Sequence, residues 1–227
     1  MKNERATRVN TQRSNASGPV RTVRKLTPLQ LRRGCDALTA ADPRMGELIA
    51  EHGRCRLRPD DSAPFDLLVS SIISQQLSTR AAATIDRRVR ALCGTDVLEP
   101  EGLRRIRHER LRKAGLSRAK IRYLRALSTS VHSGKLDFSA HRTLSDEAVV
   151  KDLVQVPGIG PWTAEMYLMF GLGRPDVLSV GDLGLRKAAK EVYGLAERPD
   201  AREFAELAER WRPWRTIACW YLWCVVD

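Results

Sequence analysis

Between Val156 and Asp182 the chain places three kinds of chemistry within 26 positions: a glycine turn that can present backbone N–H groups, an aromatic surface and one carboxylic acid. The turn is Val156-Pro157-Gly158-Ile159-Gly160. Two glycines one residue apart permit positive φ and let backbone amides approach a ligand with no Cβ in the way. That suits a phosphate. Pro161 fits the first helical position, where a missing N–H costs nothing, and the free N–H groups behind it carry the positive end of the helix dipole. Trp162-Thr163-Ala164 comes next, and then Val180-Gly181-Asp182 before another helical pattern. The plainer alternatives are an ordinary αα-hairpin with a glycine-rich loop and, for Asp182, an N-cap residue.

The elements that must position these groups are helices. Val149, Val150, Leu153 and Val154 share one face before the turn, and Trp162, Met166, Met169 and Phe170 share one after it. Upstream, Phe65, Leu68, Val69, Ile72 and Ile73 form a stripe behind Pro64 that runs into Ser74-Gln75-Gln76-Leu77-Ser78; a second helix then spans Thr79 to about Leu92 and stops at Gly94. Helices are predicted near 100–108 and 117–131, the latter capped by Ser117. Three further stripes fit i, i+3, i+4, i+7: Leu185, Ala188, Ala189 and Val192; Phe204, Leu207, Ala208 and Trp211; and Ile217, Trp220, Tyr221 and Cys224. The last helix is apolar on nearly every side and is predicted to be buried or to line a cleft. No period-two alternation is sustained, so the fold class is all-α.

The 227 residues, 43% of them hydrophobic, can bury a substantial core. No apolar run approaches the ~18 residues of a membrane span and no apolar stretch follows the N-terminus, so a soluble, non-secreted protein is expected. Five cysteines (Cys35, Cys55, Cys93, Cys219, Cys224), with no C-x-x-C pair, indicate neither a disulfide framework nor a zinc site. No histidine lies at metal-ligand spacing. The net charge of +12 is concentrated in two places. Residues 1–25 carry seven Lys/Arg against Glu4, and residues 1–27 are expected to form a disordered basic tail, although their composition is also that of an organelle transit peptide. Residues 104–125 carry ten (Arg104, Arg105, Arg107, Arg110, Arg112, Lys113, Arg118, Lys120, Arg122, Arg125) against Glu109. Basicity confined to patches points to a polyanion, and nucleic acid is the natural partner. Ile106, Leu111, Leu116, Ile121 and Leu124 interleave these charges at roughly helical spacing, so solvated helix faces explain the run equally well.

The segment Val156 to Ala164, followed by an acid about 20 positions on, resembles the helix-hairpin-helix (HhH-GPD) DNA glycosylases, and within them the 3-methyladenine DNA glycosylase II branch. Two more segments carry the resemblance: Ser74-Gln75-Gln76-Leu77-Ser78, and Ala208-Glu209-Arg210-Trp211-Arg212-Pro213-Trp214-Arg215 leading into the tryptophan-rich helix. It covers roughly residues 28–226. The resemblance implies two α-helical lobes with the active-site cleft between them, lobe A being about 28–62 plus 195–227 and lobe B about 63–194.

It also implies roles. A monofunctional DNA glycosylase excising alkylated purines such as 3-methyladenine is expected, acting as a monomer on double-stranded DNA with a damaged base, in the cytoplasm (nucleoid) or nucleus. Asp182 is the implied catalytic carboxylate: a glycosidic bond breaks with positive charge developing on the sugar, which a fixed anion stabilises. Trp162, Trp223 and Met166 fall on pocket positions, Met166 where related enzymes carry an aromatic residue. Gln75, Gln76, Gly158, Ile159, Gly160 and Thr163 fall on DNA-binding positions, Gln76 where the family fills the gap left by the flipped base. The carbonyls of Val154, Val156 and Ile159 are implied ligands of a monovalent cation, Na or K. Trp162 replaces the Schiff-base lysine of lyase-competent members, and with only Cys219 and Cys224 near the C-terminus no iron–sulfur cluster is expected. A non-enzymatic DNA-binding or damage-sensing protein, or a glycosylase for another lesion, remains the alternative.

Overall fold

A computed structural model describes residues 25–60 and 63–226, and the basic tail expected over residues 1–27 lies almost wholly outside them. The described residues are helical throughout, with no strand. Two groups of helices emerge from the contacts. One joins both ends of the chain: α1 (Pro28–Ala41), α2 (Pro43–His52), α11 (Leu183–Tyr193), α12 (Ala201–Ala208) and α13 (Arg215–Val226). The other holds the middle: α3 (Pro64–Ser74), α4 (Thr79–Cys93), α5 (Pro100–Arg105), α6 (His108–Ala114), α7 (Arg118–His132), α9 (Asp146–Leu153) and α10 (Pro161–Met166). A single short turn, α8 (Phe138–His141), precedes α9. α11 packs on α13 and α12.

Local chemistry explains most boundaries. Thr27, Asp42, Ser78, Ser117, Ser145 and Asp200 each accept a backbone N–H at the start of a helix, satisfying donors that the first turn leaves orphaned. The helix predicted near 100–108 ends at Arg105, because Ile106 and Arg107 are extended and Ile106 drops into the core, and the separate helix α6 follows.

The first group is locked by a buried acid. Asp42 is 2% exposed and caps α2 through Oδ1, while Oδ2 takes bonds from Tyr193 Oη at 2.6 Å and Trp211 Nε1 at 3.0 Å. Burial alone pushes its carboxyl up, but the four donors outweigh it and hold the group below the ordinary range. Trp211 is fully buried there, as a core tryptophan should be. His141, also fully buried, bridges Asp152 (2.8 Å) and Tyr167 (3.3 Å) in the middle group.

The basic run over 104–125 divides its labour. Its interleaved apolar residues are all buried. Lys120 donates to the carbonyls of Ile73 and Gln75 (2.7 Å each), Arg112 to that of Leu116 (2.5 Å), and Arg125 to those of Leu103, Arg104 and Ile106. These three cations close helix ends. Arg107, Arg110, Lys113, Arg118 and Arg122 stay exposed.

Candidate active site

The hairpin between α9 and α10 has two glycines with different tasks. Gly158 has φ +93°, and a Cβ there would lie 2.2 Å from Cγ of Tyr123 on α7. It is glycine for conformation and for packing. Gly160 has an ordinary φ of −94° with nothing within 4 Å of a Cβ, so it faces open space at the N-terminus of α10. The Ile159 N–H bonds the Val156 carbonyl at 3.0 Å and closes the turn. Ile159 as a whole is 4% exposed, with its side chain in the core. Thr163 is 2% exposed and turned inward, its hydroxyl lying 3.4 Å from Gln75 Nε2.

Gln75 is the strap between the end of α3 and the hairpin. Its Nε2 donates to the Gly158 carbonyl at 2.9 Å, and Lys120 fixes its own carbonyl. Gln76 beside it is exposed in the left-handed region (φ 57°), a conformation a non-glycine residue adopts at a cost. Leu77 is 39% exposed.

Asp182 is the N-cap of α11, with Oδ1 accepting the Leu185 N–H at 3.0 Å. Its other oxygen, Oδ2, accepts the indole N–H of Trp162 at 2.8 Å. The capping role and a second engagement therefore coexist on one carboxylate. Trp162 itself is 41% exposed, an unusual state for the largest side chain unless one face is reserved.

A hollow of about 500 Å³ is lined by Leu67, Ser71 and Ser74 of α3, Leu77, Ala82 of α4, Met166 and Phe170. Trp223 of α13 packs its ring 5.8 Å from that of Phe170. Phe170 lies in a π-helical turn, Tyr167–Gly171, that continues α10. The structure thus brings together three of the predicted sets: Trp162 with Asp182, Gln75 with Gly158 and Thr163, and Met166 with the hollow. Trp162, Asp182 and Trp223 do not line the hollow themselves.

Sequence reasoning missed Phe170 as a pocket residue and assigned it only a helix face; it supplies an aromatic ring one turn beyond Met166. It also missed Glu165. That acid on α10 accepts a hydrogen bond of 2.5 Å from the hydroxyl of Ser179, and burial pushes its carboxyl above the ordinary range. An acid at i+3 from Trp162 was the one available signal.

The family profile described as HhH-GPD superfamily base excision DNA repair protein matches residues 69–213. The chain belongs to this HhH-GPD family. Its similarity to "Alkylbase DNA glycosidase-like protein mag2" of Schizosaccharomyces pombe is 30% identity over 82% of this chain and 89% of the relative. Among solved structures, a DNA-3-methyladenine glycosidase from Bacillus halodurans aligns with TM-score 0.76 and 43% identity over 84% of this chain and 88% of that one. The 3-methyladenine DNA glycosylase Mag1 of Schizosaccharomyces pombe, solved in complex with abasic DNA, aligns with TM-score 0.77 and 31% identity over 84% and 95%. The HhH-GPD match spans the hairpin, Asp182 and the Trp211-Arg212-Pro213 segment.

Proposed function

We propose that this HhH-GPD protein is a monofunctional DNA glycosylase that removes alkylated purines of the 3-methyladenine type in base excision repair. The observation that carries this reading is the bond from Trp162 Nε1 to Asp182 Oδ2, which fixes a carboxylate at an exposed indole. Such a base cannot be reached inside the duplex, so the nucleotide must be everted, at a cost of a few kcal/mol. Gly160 and the first amides of α10 receive a backbone phosphate, and Gln76, projecting from the α3–α4 turn, takes the vacated place in the stack. The flipped base stacks on the exposed face of Trp162, which attracts its positive charge by ~0.5–2 kcal/mol. As the glycosidic bond lengthens, its electron pair leaves with the base, cationic character builds on the sugar and Asp182 stabilises it; water then adds at C1′ and gives up a proton, leaving the abasic sugar. The alkylated base leaves without a second acid because its ring already carries the charge.

The absence of a lysine at position 162 makes the product an abasic site in an intact strand. The carbonyls of Val154, Val156 and Ile159, at the negative end of α9, are neutral oxygen donors of the kind a hard monovalent cation takes, and such an ion would help neutralise the phosphate. Incubation with methylated duplex DNA should release free 3-methyladenine and yield strand breaks only after alkali. Tight DNA binding with no base released would make the chain a non-enzymatic damage-binding module, and breaks without alkali would make it a lyase.

Affinity for duplex should fall steeply with salt. If Arg107, Arg110, Lys113, Arg118 and Arg122 each meet a phosphate, the slope of log affinity against log salt is about −4.5, and each Arg→Ala change flattens it by about 0.9. A flat response in fluorescence-anisotropy titrations would remove this face from the DNA interface.

A further inference from the structure

The turn that carries Asp182 is tied to α10 at two points. Trp162 reaches Asp182 directly, and Glu165, one turn further along the same helix face, reaches Ser179. Ser179 is fully buried, donates its hydroxyl to Glu165 Oε2 at 2.5 Å, and accepts the Asp182 N–H on its carbonyl at 3.1 Å. Cys219 of α13 seals the other side: its thiol is fully buried, pushed up to about 12 by desolvation, and lies against the Ser179 backbone. Burial pushes the Glu165 carboxyl up, the Ser179 hydroxyl opposes this, and the negative charge of Asp182 adds to the rise. Burying an acid costs free energy unless a partner compensates, and neither helix capping nor the glycosylase chemistry above requires this one.

The two bonds on the Asp182 carboxylate set its rotation, whereas the position of the turn itself depends on what holds Ser179. We infer that Glu165, acting through the Ser179 hydroxyl, is a positioning residue that sets where Asp182 stands relative to the everted sugar. This rests on the reading of Asp182 as the catalytic carboxylate. A shift of about 1 Å in such a group costs as much as ~100-fold in rate.

The test pairs single-turnover base release from alkylated duplex with affinity for an abasic duplex. Ser179→Ala should slow release by about tenfold or more while changing affinity by less than about twofold, and Glu165→Ala should do the same. Because both break one link, the double variant should be slower than either single by no more than about twofold. Glu165→Gln, whose amide oxygen still accepts from Ser179, should recover most of the rate. Ser179→Ala removes one hydroxyl from an otherwise intact core, so it decides the matter even if Glu165→Ala does not fold. Wild-type rates in Ser179→Ala, or affinity losses equal to the rate losses, would overturn the inference. If Asp182→Asn is itself fully active, the reading of Asp182 has failed; if it is inactive while Ser179→Ala is unimpaired, only the role of Glu165 has.

Discussion

Asp182→Asn should lower the single-turnover rate of base release by about 10²–10³-fold, the usual loss when one fixed electrostatic stabiliser of a transition state is removed. Binding to abasic duplex should persist, because the hairpin amides and the exposed arginines are untouched. The substitution is informative because asparagine ranks with aspartate as an N-cap, so α11 keeps its start. One strain remains. Asp182 accepts from Leu185 N–H on one oxygen and from Trp162 Nε1 on the other, whereas an asparagine has a single acceptor and must turn its NH₂ toward one of these donors. Release of Trp162 is the cheaper outcome, since the indole is partly exposed. The tryptophan fluorescence of Asp182→Asn should therefore change even in free protein. Undiminished base release in this variant would remove Asp182 from the chemistry and leave it as a cap alone.

The range of each interaction decides whether the sequence makes it legible. The hairpin could be read because glycine and proline act on their own backbone, and Ser117 and Asp182 could be read as caps because the donors they satisfy lie three residues on. All-helical class came from periodicity in the same local way. Gln75 to Gly158, Lys120 to Ile73 and Ser179 to Glu165 could not be read, since each joins residues that only the fold brings together. The basic run shows the same limit: charge counting finds ten cations, but only the tertiary structure tells Arg125, folded back onto carbonyls, from Arg122, left in solvent. Phe170 escaped for a different reason. The helical stripe put it on the Met166 face, and the two do line the hollow together, but an apolar stripe does not tell a face that packs into the core from one that borders an open space.

The two hairpin glycines make the sharpest contrast in the molecule. Gly158→Ala should destabilise the protein by about 2–5 kcal/mol, combining ~1–2 for a side chain forced into positive φ with ~1–3 for overpacking. The overpacking is real because a Cβ would sit 2.2 Å from the Tyr123 ring and 2.5 Å from its Cβ, and the backbone of α7 would have to move. Tyr123→Ala in the same chain should recover the packing share and leave the conformational share, so the double variant separates the two costs. Gly160→Ala should leave the melting temperature nearly unchanged, since its φ suits any residue and its Cβ meets nothing. Its effect should fall on DNA: a methyl group would stand where the phosphate must approach the first amides of α10, weakening duplex affinity by about tenfold if one such contact of ~1.5 kcal/mol is lost. Thermal unfolding and duplex titration of the two single variants therefore give opposite patterns. A Gly158→Ala protein as stable as the parent would mean that the turn can relax away from Tyr123. A Gly160→Ala protein with parental affinity would mean that the strand passes the hairpin elsewhere.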